Sequence, residues 1–236
     1  MSNEAQGLPH AVVTGSSGGI GRAIASHLLQ SGWRVSGLDL AAPTLSSHAG
    51  FTHVAVDLSD AAAIARTAPT LQDASALVHA AGVLRVGPLG ELDHASGELM
   101  WRLHVDAATR LADALVPAMA ARGNGRVVFV GSRVAQGLPG RGQYAATKAA
   151  LIALARSWAA EVAARGVTVN VVSPGATQTS MLQDPARAGS APRLPPIGRL
   201  IQPEEIAALT GFLLSPSAAA ITGQDIPICG GSSLHL

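Results

Sequence analysis

Residues 11–40 read AVVTGSSGGIGRAIASHLLQSGWRVSGLDL: an apolar run, a glycine-rich bend, a helical segment, and a second apolar run that ends on an acid. A strand that passes into a helix and returns as a strand is one βαβ unit, and its two strands lie parallel. Within the bend, Gly15 allows a sharp exit from the strand, and Gly19 and Gly21 allow the helix to pack closely. The helix N-terminus then presents unpaired N–H groups, which suit a pyrophosphate. The spacing is G-x-x-x-G-x-G rather than G-x-G-x-x-G, and the same physics serves both. The glycines alone would also suit a structural strand-helix turn.

Asp39 favours the nucleotide reading. It stands 18 residues after Gly21, near the separation of about 20 expected for an acid that binds a ribose 2′-hydroxyl. A carboxylate there accepts hydrogen bonds from a diol and repels a 2′-phosphate. No Lys or Arg lies within the glycine loop or just after Asp39, so NAD is expected in preference to NADP.

The same alternation continues along the chain. AVVTG (11–15), RVSGLDL (34–40), THVAVDL (52–58), ALVHAAG (76–82), RVVFVGS (126–132), TVNVVSPG (168–175) and DIPICGG (225–231) read as strands. Most lack polar alternation, as strands buried on both faces do. Helices are expected at about 19–31, 95–121, 144–165 and 203–214, with a small one before Pro69. The expected fold is α/β: a single Rossmann-type domain over 1–236, doubly wound, with a parallel sheet of about seven strands flanked by helices. A polar tail (1–9) precedes it. The Pro-, Gly- and Arg-rich stretch at about 179–202 reads as a substrate lid, because irregular segments of that length are more often functional than connecting.

Composition narrows the partners. The 236 residues are 48% hydrophobic and 13% charged, with 26 glycines, which excludes disorder. The formal net charge of +1 supplies no field for nucleic acid or an anionic membrane. The start, MSNEAQGLPH, lacks the pattern of a secretory signal, and no apolar run is long enough to span a bilayer. The single cysteine, Cys229, is compatible with a reducing compartment, and a cytoplasmic protein is expected. Neither His79 nor His104 has a matching second ligand at metal-binding spacing, so no metal is expected.

YAATK (144–148) places Tyr144 and Lys148 on one helix face. A tyrosine titrates near 10, and a neighbouring ammonium lowers that value by favouring the phenolate. Tyr144 could then exchange a proton with a substrate oxygen, and Ser132, at a strand end, could hydrogen-bond the same oxygen.

TGSSGGIG, the strand-end Asp39, VDL with Asp57, HAAG (79–82), Ser132, YAATK, VNVVSPG and ITGQDIPICGG occur in one order over about residues 9–233. Together they resemble the short-chain dehydrogenase/reductase family. The resemblance implies that Tyr144 is the acid/base, Ser132 polarises the carbonyl, and Lys148 lowers the tyrosine pKa and binds the nicotinamide ribose. It implies cofactor contacts at Gly15, Ser17, Gly18, Gly19, Ile20 and Gly21, at Asp39 and Leu40, and at Asp57 and Leu58 beside the adenine. His79, Ala80, Ala81 and Gly82, then Pro174, Gly175, Thr177 and Thr179 at the nicotinamide end, complete that set. His79 and His104 both stand where the family usually has Asn, and of the two His79 reads more readily as structural. At 104 the family residue supports a water-linked proton relay, partly through its backbone carbonyl. The His104 imidazole would hydrogen-bond in its place, titrate near neutrality, or simply pack while the relay runs on backbone and water.

Within the family, AAGVLRVG (80–87), VVSPGATQTSM (171–181) and ITGQDIPICGGSSL (221–234) resemble the dihydrodihydroxybenzoate dehydrogenases, which oxidise a cyclic dihydrodiol carboxylate with NAD. That resemblance implies a secondary alcohol or ketone as substrate, with Arg85, Arg133, Arg141 and Met181 nearby. A guanidinium fork suits a carboxylate, although each arginine would also suit a solvated surface. The alternative is an NAD(P)H-dependent 3-oxoacyl reductase acting on a substrate linked to a carrier protein or coenzyme A; those prefer NADPH and usually carry a basic residue in the glycine loop, where this chain has Ser17 and Gly18. A third reading is a catalytically silent dinucleotide-binding regulator. Relatives imply a homotetramer (or dimer) built on the two long helices and the last strand.

Overall fold

The computed structural model describes residues 7–183 and 193–234. Seven parallel strands form one sheet in the order β3-β2-β1-β4-β5-β6-β7. They are β1 (His10–Thr14), β2 (Arg34–Asp39), β3 (Phe51–Ala55), β4 (Ala76–His79), β5 (Gly125–Val130), β6 (Val167–Pro174) and β7 (Asp225–Ile228). The helices are α1 (Gly19–Gln30), α2 (Ala61–Thr67), α3 (His94–Trp101), α4 (Ala107–Ala121), α5 (Gly142–Val162) and α6 (Pro203–Leu214). This is the Rossmann-type α/β domain expected from the alternation.

Successive strand residues feed opposite faces of the sheet. On one face Val127 and Phe129 of β5 pack with Leu111 and Leu115 of α4 and Leu151 and Ala155 of α5. On the other, Val128 and Val130 meet Ile24 and Leu28 of α1 and Ile206 and Leu213 of α6. Both faces are therefore apolar, which explains the uninterrupted Val-rich runs. The strand order reverses between β1 and β4, and the crevice beyond their C-terminal ends is where an open α/β sheet takes its ligand.

The helix expected over 95–121 is present without a gap from His94 to Ala121, but Arg102–Asp106, between α3 and α4, winds as a π-turn. Neither Pro nor Gly occurs in that pentapeptide, so the local sequence carries no sign of the change in winding. Pro69, by contrast, follows α2 in a 3₁₀ turn, as expected.

Part of the lid and of the tail (residues 184–192 and 1–6) lies outside the described residues. The lid's base is tied: the Gln178 N–H donates to the Ile201 carbonyl at 2.8 Å, and the Ile201 N–H to the Ala176 carbonyl at 2.9 Å.

Candidate active site

The glycine bend packs as closely as its sequence requires. A Cβ on Gly21 would lie 2.2 Å from the Gly15 carbonyl oxygen, so only glycine permits this turn. Gly18 caps α1 without any side-chain cap, leaving the first-turn N–H groups open to a ligand. Asp39, at the end of β2, accepts from the Ser17 and Ala41 N–H groups, each at 2.9 Å. The acid that would take a ribose diol therefore also ties the loop to the strand end. Leu40 beside it is exposed. Asp57 accepts from the Ser59 N–H and hydroxyl, which lower its pKa, while Leu58 is buried in the core. An uncapped helix start, a glycine-closed turn and an unneutralised strand-end acid fit a dinucleotide.

Next to this turn opens a cavity of about 760 Å³. Ser132, Tyr144 and Lys148 all line it, with Ile20, Ala80 and Gly82 at one side and Pro174, Gly175, Thr177 and Thr179 at another. Ser132 follows β5, and its Oγ accepts from the Val134 N–H at 3.2 Å. Lys148 Nζ donates to the Val130 carbonyl at 2.9 Å and lies 5.7 Å from the centre of the Tyr144 ring. Burial destabilises its ammonium and pushes its pKa down to about 8. A cation this dry acts strongly on a neighbouring phenol.

Two histidines sit behind the cavity, both fully buried. His79 does not line it. Its Nε2–H donates to the Leu103 carbonyl at 3.1 Å, and its Nδ1 accepts from the Thr14 hydroxyl at 3.0 Å. Thr14 Oγ1 in turn accepts from the Ala80 and Ala81 N–H groups. Burial and the Lys148 charge lower the His79 pKa to about 3. His104, in the π-turn, is held well below its ordinary pKa, first by burial and then by Lys148 and His79. Gly82 makes this packing possible, since a Cβ there would lie 2.9 Å from His104 Nε2 and 3.7 Å from Lys148 Nζ.

Of the arginines expected near a substrate, Arg133 and Arg141 line the cavity, as does Met181, but Arg85 does not. Arg193 and Leu194 of the expected lid stretch and Ser232 of the C-terminal motif also line it, as does Leu138, which no motif marks. Among the described lining residues there is no carboxylate. No group of His, Cys, Asp or Glu among the described residues could hold a metal ion, and none of their helices is long and apolar enough to cross a membrane.

A doubly wound sheet with a glycine turn at its switch point and a Ser/Tyr/Lys cluster beside it defines a nicotinamide-dependent oxidoreductase architecture. Comparison with known proteins is consistent with this at family level. A family model described as enoyl-(acyl carrier protein) reductase matches residues 15–233. The 3-oxoacyl-[acyl-carrier-protein] reductase FabG of Escherichia coli (strain K12) is 36% identical over 234 residues, covering 94% of this chain and 96% of that protein. A solved short chain dehydrogenase/reductase family protein superposes with a TM-score of 0.88 at 36% identity, covering 98% of this chain and 99% of its own. An actinorhodin polyketide ketoreductase variant solved with NADPH gives 0.89 at 25% identity, covering 97% and 98%. The chain belongs to the short-chain dehydrogenase/reductase family. It is an oxidoreductase of CH–OH and keto groups that uses a nicotinamide cofactor.

Proposed function

We propose that the protein interconverts a 3-oxoacyl thioester and its 3-hydroxyacyl counterpart, on a carrier or coenzyme A, with NAD(H) as the preferred cofactor. The observation that carries the reaction type is the convergence of Ser132, Tyr144 and a desolvated Lys148 on one cavity beside the glycine turn. The relatives' names support the 3-oxoacyl substrate better than a cyclic dihydrodiol. Support for NAD comes from Asp39 and from the absence of a basic residue in the loop, where Gly18 is exposed and uncharged.

When bound, the nicotinamide supplies or accepts the hydride. In the reducing direction Tyr144 O–H gives its proton to the substrate oxygen as the C–H bond forms, and the Ser132 hydroxyl hydrogen-bonds that oxygen. Lys148 stabilises the resulting tyrosinate electrostatically. Solvent then restores the tyrosine proton, so one hydride and one proton are consumed per alcohol formed.

A second reading has its own support: Arg133, Arg141 and Arg193 in a wall without carboxylates suit a substrate bearing an anion, such as a cyclic hydroxy acid. Loss of reduced-nicotinamide absorbance with acetoacetyl thioesters, compared with dihydrodiol carboxylate oxidation, separates the two. Reduction of the thioester with the higher kcat/KM supports the first; turnover of the carboxylate alone replaces it. NAD binding with no turnover of either would favour the silent reading.

We also read the protein as a homo-oligomer. Trp101 on α3 is 45% exposed and borders a shallow depression shared with Gln143 and Ala146 of α5. A monomeric sedimentation profile would contradict this.

A further inference from the structure

His104 stands in the π-turn with its ring against the helix that carries Tyr144, and every polar atom of the imidazole is used. Its Nε2 accepts from the Val83 N–H at 3.0 Å, so that nitrogen carries no proton. Its Nδ1–H donates to Thr147 Oγ1 at 2.8 Å. The Thr147 hydroxyl then donates its own proton to the Tyr144 carbonyl, also at 2.8 Å. The His104 and Tyr144 rings meet edge to face, with centroids 5.7 Å apart and planes at 89°. Tyr144 is therefore held at its ring by His104 and at its backbone carbonyl by the Thr147 hydroxyl that His104 orients.

We propose that His104, working through Thr147, is a positioning residue that sets the orientation of the Tyr144 phenol and takes no part in proton transfer. This rests on the reading of Tyr144 as the acid/base. To join a relay, the imidazole, which has no exposed surface of its own, would have to release Val83 or Thr147. It would also have to become charged where burial and the Lys148 ammonium both oppose that. The neighbouring carbonyl of Leu103 is already engaged by His79, so the π-turn is braced on both sides. Extra helical residues of this kind are frequent at functional sites. The rate of proton and hydride transfer is steeply sensitive to such placement, and an error of 1 Å costs about 100-fold.

The two arms of the imidazole can be removed separately. An asparagine amide places an N–H near the position of Nδ1, whereas a glutamine places an oxygen near Nε2. His104→Asn therefore keeps the Thr147 arm, and His104→Gln keeps the Val83 arm. In the full chain, kcat, cofactor Kd and thermal unfolding are measured for these two variants and for Thr147→Val and Thr147→Ser, with Tyr144→Phe as reference.

Thr147→Val should lower kcat about tenfold or more while cofactor Kd stays within about twofold, and Thr147→Ser should recover most of the loss. His104→Asn should be the more active of the pair at 104. The shape of the kcat–pH profile should be unchanged in every variant that turns over. Should Thr147→Val fail to fold, the Asn/Gln ranking and Thr147→Ser decide the matter. Wild-type kcat in Thr147→Val, equal losses in His104→Asn and His104→Gln, or a titration between about pH 5 and 8 that disappears in His104→Asn would each overturn the proposal. If Tyr144→Phe turned over normally, the acid/base reading itself would fail. An inactive Tyr144→Phe beside a fully active Thr147→Val would remove the positioning role alone.

Discussion

Lys148 Nζ donates to the carbonyl oxygen of Val130 at 2.9 Å while standing 5.7 Å from the Tyr144 ring centre. The strand end thus fixes the cation beside the phenol, and the cation is among the most buried charges in the molecule, at 4% exposure. Its pKa of about 8 against an ordinary 10.5 has two consequences of opposite sign. The ammonium that stabilises a tyrosinate is lost as pH rises through about 8, so kcat/KM for the cofactor should have an alkaline limb there. Stability moves the other way. Between about pH 8 and 10.5 the unfolded chain holds the lysine proton and the folded one does not, so the free energy of unfolding should rise across that window. A kcat/KM profile flat to pH 10 would contradict the shift.

Cofactor choice should respond to two positions. Asp39→Ala removes the acceptor of the Ser17 and Ala41 N–H groups along with any ribose contact, so NAD affinity should fall about tenfold and NADP affinity less. Gly18→Arg should be accepted structurally, because nothing lies within 4 Å of a Cβ there and its φ of −154° is ordinary extended backbone. The new guanidinium should raise the NADP/NAD ratio of kcat/KM about tenfold or more. Steady-state kinetics with both cofactors checks each; an unchanged ratio in both variants would defeat the ribose assignment.

Acid should unfold the protein through its buried histidines. His10, His79 and His104 all have lowered pKa values, His79 to about 3. Their contribution is fully present above the unfolded value of about 6.5 and is lost as pH falls toward the folded values. Between about pH 5 and 6.5 His79 should take up to roughly 1.4 kcal/mol per pH unit from stability, with His10 and His104 acting in the same direction. Urea unfolding across that range should show the slope, and His79→Asn should reduce it by about one proton's worth. A pH-independent midpoint would count against neutral, buried imidazoles.

The basic wall of the cavity gives a substrate prediction. Arg133→Ala and Arg141→Ala should lower kcat/KM several-fold more for anionic substrates than for neutral ketones, with cofactor KM unchanged. Equal losses on both substrate types would assign these arginines to packing.

Much of this architecture is legible in the sequence, for physical reasons. Strands such as Val167–Pro174 are buried on both faces, so their Val-rich runs stand out without alternation. Helix Pro203–Leu214 opens with proline and two acids, a strong start signal, and its bounds agree with the expected ones. The glycine turn is legible because Gly21 has no substitute against the Gly15 carbonyl.

What the sequence conceals is set by tertiary contact. The π-turn Arg102–Asp106 falls in an uninterrupted helical pattern, and its bonds to His79, Val83 and Thr147 come from three other segments. The structural reading of His79, by contrast, is one the sequence allows, and its ring turns inward to Thr14 and Leu103. Arg193 belongs to the stretch read as a lid, but its place on the cavity wall, and the absence of Arg85 from it, are set by the path of each loop. Thr147 is hidden inside its own motif, between Tyr144 and Lys148, because its importance lies in a hydrogen bond to a residue 43 positions away.

The most direct measurement is turnover by Tyr144→Phe alongside its cofactor affinity. Removing one hydroxyl from a buried ring should leave the fold and the dinucleotide Kd within about twofold of the wild type and lower kcat by about a thousandfold or more. A variant that binds the dinucleotide normally and still reduces its ketone at a rate near wild type would contradict the assignment of that phenol as proton donor.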